Sequence, residues 1–183
     1  DNLSDVSALS GISIVGAAQD AEHKLADLYL HENAKLGSLV GIDSITEVRG
    51  DVDIRYCGDG AGDQLTDLTD LDGLQTVNGR IRVGWNANLI SLFGASSSLL
   101  DIKGTDAGSA IWVHNNAALQ DLSGITGQTG SGITGVGSID ISSNGALTDL
   151  TGLNNLETVT GNIHLNQNGA ITDLPDMPNL TTI

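Results

Sequence analysis

The sequence predicts an all-β chain wound as a β-solenoid, with one parallel sheet running along the rod. Three observations predict it. Leu147-Thr148-Asp149-Leu150 returns as Ile171-Thr172-Asp173-Leu174, and Leu65-Thr66-Asp67-Leu68 opens a unit followed by another at Leu89, both 24 residues on. The units share the skeleton L-x-x-L-x-x-L-x-x-L-x-x-V-x-G-x-I-x-I-x-x-N-x-x-L. No stretch carries helical i, i+3, i+4, i+7 spacing over an ordinary helix length, and a period of 20 to 50 residues is the mark of stacked repeats.

Each part of the unit has a physical reading. The I-x-I segment alternates with period two, so it predicts a short strand whose two apolar side chains point inward. The L-x-x-L-x-x-L part has period three, which suits tight turns or 3₁₀ segments with every third side chain in the core. Gly50, Gly79, Gly104, Gly137 and Gly161 recur just before the strand, where a corner resists bulkier residues. Asn33, Asn86, Asn116, Asn144 and Asn168 follow the strand, and Cys57 takes the same slot in the unit from Leu36. A buried stack of such residues satisfies backbone groups that a turn leaves unpaired. Asp5, Asp67, Asp121, Asp149 and Asp173 precede the second Leu of their units and read as turn-stabilising carboxylates. Units beginning at Leu3, Leu36, Leu89 and Leu119 absorb insertions, including "AQDAEHK", "CGDGAGDQ", "TDAGS" and "TGQTGSG". Only "DAEHKLAD", residues 20–27, has a helical flavour, as a turn or two over the first coil.

Composition narrows the function. The 183 residues fit one domain spanning 1–183, and its ending in mid-coil suggests part of a longer surface protein. With 23 acidic against 7 basic side chains the net charge is −16, which disfavours nucleic acid and anionic lipid as partners. A single cysteine excludes an internal disulfide, a CxxC pair and a cysteine-built metal cluster. No apolar run reaches membrane-spanning length, so no membrane insertion is expected.

The run "LETVTGNIHLNQNGAITDLPDMPNLTTI" resembles a receptor L domain, the leucine-rich-repeat-like β-helix of insulin- and epidermal-growth-factor-receptor ectodomains, and is similar to fungal cell-wall proteins with the same repeats. The resemblance covers nearly all of the chain. It implies a right-handed parallel β-helix, here of about six coils, used for binding in an extracellular or cell-surface setting. The chain lacks the cysteines that cap receptor L domains, which fits a microbial surface protein better.

Residues flanking the inward I-x-I positions form two solvent-facing rows. One reads Tyr29, Asp53, Arg82, Trp112, Asp140, His164; the next reads His31, Arg55, Gly84, His114, Ser142, Asn166. Together they hold three of four histidines and two of four arginines in a chain with 3% aromatic residues. Aromatic faces with Arg and Asp on a rigid sheet make binding hot spots. The expected site is therefore Tyr29, His31, Asp53, Arg55, Arg82, Trp112, His114, Asp140 and His164, engaging a glycan or protein ligand. The plainer reading is that exposed strand positions favour such residues anyway.

Other chemistry is less well served. The histidines fall on different coils, no HExxH or G-x-S-x-G motif occurs, and no enzymatic activity or cofactor is expected. Asp59 and Asp63 in "CGDGAGDQ", with Asp106 in "GTDAGS", are candidate ligands for a structural Ca²⁺, or ordinary acidic turns. Two uncharged rows, Ser4, Gly37, Thr66, Ile90, Gln120, Thr148, Thr172 and Ser7, Val40, Thr69, Phe93, Ser123, Thr151, Pro175, resemble the ice-binding faces of β-solenoid antifreeze proteins. Ice binding and a purely architectural spacer are the competing functions.

Overall fold

The inward positions of the repeat become a continuous core. Leu36, Leu39, Ile42, Ile45, Val48, Val52 and Ile54 are all buried, and so are the matching residues from Leu65 to Val83. The computed structural model describes residues 3–16, 26–58, 64–94, 96–103, 109–126, 133–174 and 177–183. Among them there are twelve strands, all paired in parallel, and three short 3₁₀ turns, with no α-helix. The expected all-β parallel solenoid is the fold of the chain.

The I-x-I segments form the longer sheet. Its strands are β2 (Leu28–His31), β4 (Val52–Arg55), β6 (Ile81–Gly84), β8 (Ser109–His114), β10 (Ser138–Ser142) and β12 (Ile163–Asn166), side by side in chain order. Their register is continuous: Tyr29 pairs with Asp53, Asp53 with Arg82, Arg82 with Trp112, Trp112 with Asp140 and Asp140 with His164. One residue, Ala110, is extra in β8 and makes a bulge opposite Ser138.

A second sheet, which alternation did not predict, comes from the x-V pairs: β1 (Ile14–Val15), β3 (Glu47–Val48), β5 (Thr76–Val77) and β7 (Asp101–Ile102). The short strands β9 (Gly135–Val136) and β11 (Thr158–Val159) form a separate pair, and Thr158 also bridges Thr182 in parallel. About four turns are thus closed by continuous strands on two sides, fewer than the six coils expected. The break falls between β7 and β9, the stretch in which the sequence carries its insertions before Ile111 and Ile133.

The 3₁₀ turns, Ser7–Leu9, Thr69–Leu71 and Thr151–Leu153, fall on the L-x-x-L segments. Each is preceded by one of the recurring aspartates. Asp67 Oδ1 accepts from the Thr69 amide at 3.1 Å and its hydroxyl at 2.5 Å, and Asp5, Asp121 and Asp149 accept from Ser7, Ser123 and Thr151 amides in the same way. The Thr69 hydroxyl holds the Asp67 carboxyl below its ordinary value against a smaller opposing effect of burial, and Ser7 does the same for Asp5. A depressed carboxyl stabilises the fold above its unfolded pKa of about 3.9, and that contribution is lost as pH falls through the lower folded value. Asp67→Ala should cost about 0.5–1 kcal/mol at neutral pH. Denaturant melts of the two proteins should converge as pH falls through the lowered folded value and the carboxylate of the parent protonates.

Corner glycines owe their place to space rather than to backbone angle. A Cβ at Gly50 would strike Asp27 Oδ1 and one at Gly79 would strike Asp51 Oδ1. Those carboxylates hold the next coil: Asp27 Oδ1 accepts from the Asp51 amide and Asp51 Oδ1 from the Arg80 amide, each at 2.8 Å. At the last corner, Ser138 Oγ does the same for the Asn162 amide at 3.0 Å, beside Gly161.

Leaving the sheet, every coil passes through a non-glycine residue in the left-handed region: Glu32, Tyr56, Trp85, Asn115, Ser143 and Gln167, with φ between 54° and 60°. Such residues cost roughly 1–2 kcal/mol each, and the next position offsets it. Asn86, Asn116, Asn144 and Asn168 each present Oδ1 to the backbone N–H of the preceding coil's residue, at 2.9–3.1 Å. Their Nδ2 groups donate to Ile54, Val83, Val113 and Ile141 carbonyls.

Cys57 occupies this ladder as expected, with Sγ 3.4 Å from the Leu30 carbonyl. It reproduces the donor half of an Asn and carries a sulfur, a weak acceptor, where the others carry an amide carbonyl. Cys57→Asn supplies the stronger acceptor and should raise stability by about 0.5–1 kcal/mol, read as a shift in urea midpoint at unchanged slope.

Candidate functional site

The outer face of β2–β12 carries the side chains that alternation turns away from the core. Beside it, the left-handed residue of each coil adds a third row: Glu32, Tyr56, Trp85, Asn115, Ser143, Gln167. Tyr56 and Trp85 therefore join the expected residues, and six rings form one chain of contacts. Tyr29 stacks on His31 with centroids 4.2 Å apart, and His31 meets Tyr56 edge-on at 6.1 Å. Tyr56 stacks on Trp85 at 5.0 Å, Trp85 leans on Trp112 at 5.3 Å, and Trp112 stacks on His114 at 3.9 Å. Both tryptophans and both tyrosines of the chain lie in this stripe.

Gly84 makes room for it. A Cβ there would meet the Trp112 ring at 2.7 Å, so the indole lies across β6. The Arg55 guanidinium sits over the same ring, 5.8 Å from its centroid, in cation–π range.

Beneath the rings, Asp53 is only 1% exposed, although alternation placed it on the open face. Arg55 Nε and Nη2 both donate to it at 2.6 Å, Arg82 Nη1 reaches it at 3.4 Å, and His31 Nε2 lies 3.1 Å from Oδ1. The hydrogen bond to Asp53 raises the Arg55 pKa above its already high ordinary value. Arg82 also pairs with Asp51 at 3.2 Å. Two guanidiniums thus balance two carboxylates, and Asp53 positions the arginines rather than meeting a ligand itself.

The other end is built on Asp140. It accepts from Ser142 Oγ at 2.7 Å, with His114 Nε2 at 2.8 Å but out of hydrogen-bonding alignment, and His164 Nδ1 at 4.0 Å. The structure therefore brings Tyr29, His31, Asp53, Arg55, Arg82, Trp112 and His114 into one surface. Asp140 continues it, and the exposed His164 sits at its margin.

Among the described residues, no group of three or more His, Cys, Asp or Glu side chains is placed to hold a metal ion. Asp59, Asp63 and Asp106, the calcium candidates, lie outside the described residues. No helix among the described residues is long and apolar enough to cross a membrane. A cavity of about 340 Å³ lies at the C-terminal end, between Leu165, Gln167, Asn168, Gly169, Ile171 and Leu174, away from the stripe.

The uncharged rows are in part as expected. Thr66, Ile90, Gln120 and Thr148 are linked coil to coil by backbone hydrogen bonds of 2.8–3.0 Å. Phe93, read as an outward member of the second row, is buried.

Comparison with protein-family models, curated proteins and solved structures finds no match to this chain. Function is therefore argued from the geometry of the face.

Proposed function

We propose that the chain is a non-enzymatic recognition module that binds a glycan or protein ligand outside the cell, through the outer face of its six-stranded sheet. The observation that carries this reading is the concentration of side chains. Every Trp and Tyr of the chain and two of its four arginines share one surface with His31 and His114. Aromatic rings and arginines are the groups that dominate binding energy at interfaces. Their pairing here leaves them ordered before any ligand arrives, which lowers the entropic cost of binding. The resemblance to receptor L domains supports an extracellular or cell-surface setting within a longer surface protein.

An array of glycans, matrix proteins and cell-wall polymers tests it, with Trp112→Ala alongside. A ligand should emerge whose affinity falls roughly 30-fold in the variant, the loss expected of a central aromatic anchor. Silence across the array would reduce the stripe to sheet surface.

The in-register Thr66–Ile90–Gln120–Thr148 row favours ice binding as the second reading. Thermal hysteresis that survives Trp112→Ala and disappears in Thr148→Lys would establish it over the first.

A further inference from the structure

We propose that the face holds two copies of one recognition subsite and that its ligand is a repeating saccharide chain bound at both, a deepening that rests on the reading above. The first unit is the Tyr29–His31 ring pair backed by the buried Asp53; the second is the Trp112–His114 pair backed by Asp140. In each, an aromatic residue stacks on the histidine two positions later, at 4.2 Å and 3.9 Å. In each, the aspartate pairs in register with the aromatic residue from the next strand. In each, the histidine Nε2 lies against Oδ1 of that aspartate, at 3.1 Å and 2.8 Å. The aspartate is then held by the residue two positions further on, Arg55 in one and Ser142 in the other.

Core packing does not require this duplication, because all these side chains are on the outer face. Two of the chain's four histidines take part in it. The units are three strands apart, roughly 14 Å, and the Tyr56–Trp85 stack runs between them along one side.

Equivalent subsites at a fixed spacing recognise a ligand that repeats. An extended β-1,4-linked hexose chain advances per residue by a length close to one strand spacing and turns each residue over relative to the last, so residues three apart lie over the two units with opposite ring faces, either of which an aromatic ring can cover. The charges also suit a polymer without anionic groups: Asp51 and Asp53 take up the charge of Arg55 and Arg82, and Asp140 adds a further carboxylate with no Arg or Lys against it among the described residues. A folded protein has no reason to repeat at this interval.

The test is calorimetric titration with β-1,4-linked glucose and N-acetylglucosamine oligomers of two to eight residues. Affinity should rise roughly tenfold or more between oligomers too short to touch both units and those long enough to span them, the gain expected of a linked second contact. Tyr29→Ala and Trp112→Ala should each abolish that rise and cut the number of short oligomers bound per chain from two to one, and the double variant should bind none. Tyr29 is 57% exposed, so its variant does not disturb the core. Trp112→Leu keeps an apolar group over Gly84 if Trp112→Ala lowers the melting temperature.

A wild-type affinity that does not grow with length overturns the proposal. So does complete loss in one single variant with no effect in the other, which leaves one subsite and the reading of the face intact. Failure of every oligomer to bind also overturns it, and a protein ligand from the array lost in Trp112→Ala would then show that the face itself still binds.

Discussion

Asn116→Ala, at the centre of the corner ladder, should cost about 3–5 kcal/mol. Asn116 is fully buried. Its Oδ1 accepts from the Asn86 amide at 3.1 Å and its Nδ2 donates to the Val83 carbonyl at 3.1 Å. Alanine removes both partners and leaves a buried donor and a buried acceptor, each costing about 1–3 kcal/mol. The left-handed backbone at Asn115 also loses its anchor at the neighbouring position. Repeat arrays are held by nearest-neighbour interfaces, so a lesion at a central coil uncouples the two halves. Urea unfolding followed by circular dichroism should change from one transition to two, with the lower midpoint belonging to the weakened interface.

Gly124→Ala should be nearly as damaging, by about 3 kcal/mol or more, for a different reason. Gly124 has φ +73°, and a Cβ would stand 2.5 Å from the Gly94 carbonyl oxygen and 2.7 Å from Phe93 Cβ. Left-handed strain contributes about 1 kcal/mol and overpacking about 1–3 more. Neither contact is the tip of a flexible side chain, so the coil from Leu119 must move off its neighbour. A thermal melt should fall by about 6–12 °C. Gly145→Ala is the control, because nothing lies within 4 Å of a Cβ there; its melting temperature should stay close to the parent's.

Much of this architecture is written in spacing. The period-three leucines and the I-x-I alternation named the core residues of the middle coils, down to Leu153 and Leu156 in the sixth unit, whereas Leu3 and Ile12 of the first unit stay exposed. The Asn ladder and its Cys57 member were legible because a small polar residue recurred at one offset. The second sheet was not, since two-residue strands such as Thr76–Val77 are too short to show alternation.

In the proposed binding face, alternation found the two rows on the strands and stopped where the strands stop. Tyr56 and Trp85 lie one step beyond, at left-handed positions occupied by Glu, Tyr, Trp, Asn, Ser and Gln, types with no shared preference that would mark the site. Their signal was positional: each directly precedes the ladder residue. Asp53 shows the converse. Its strand position points outward, and only the arginines and histidine of its neighbours bury it.

Both tryptophans of the chain lie in the stripe, so intrinsic fluorescence reports on the proposed site without a label. The most direct measurement is therefore tryptophan emission while a ligand from the array is titrated in, with calorimetry on the same samples. Recognition through this face predicts an emission change that saturates with the calorimetric isotherm and is lost with the affinity in Trp112→Ala. Full calorimetric binding with unaltered emission would place the ligand elsewhere on the solenoid and contradict the assignment.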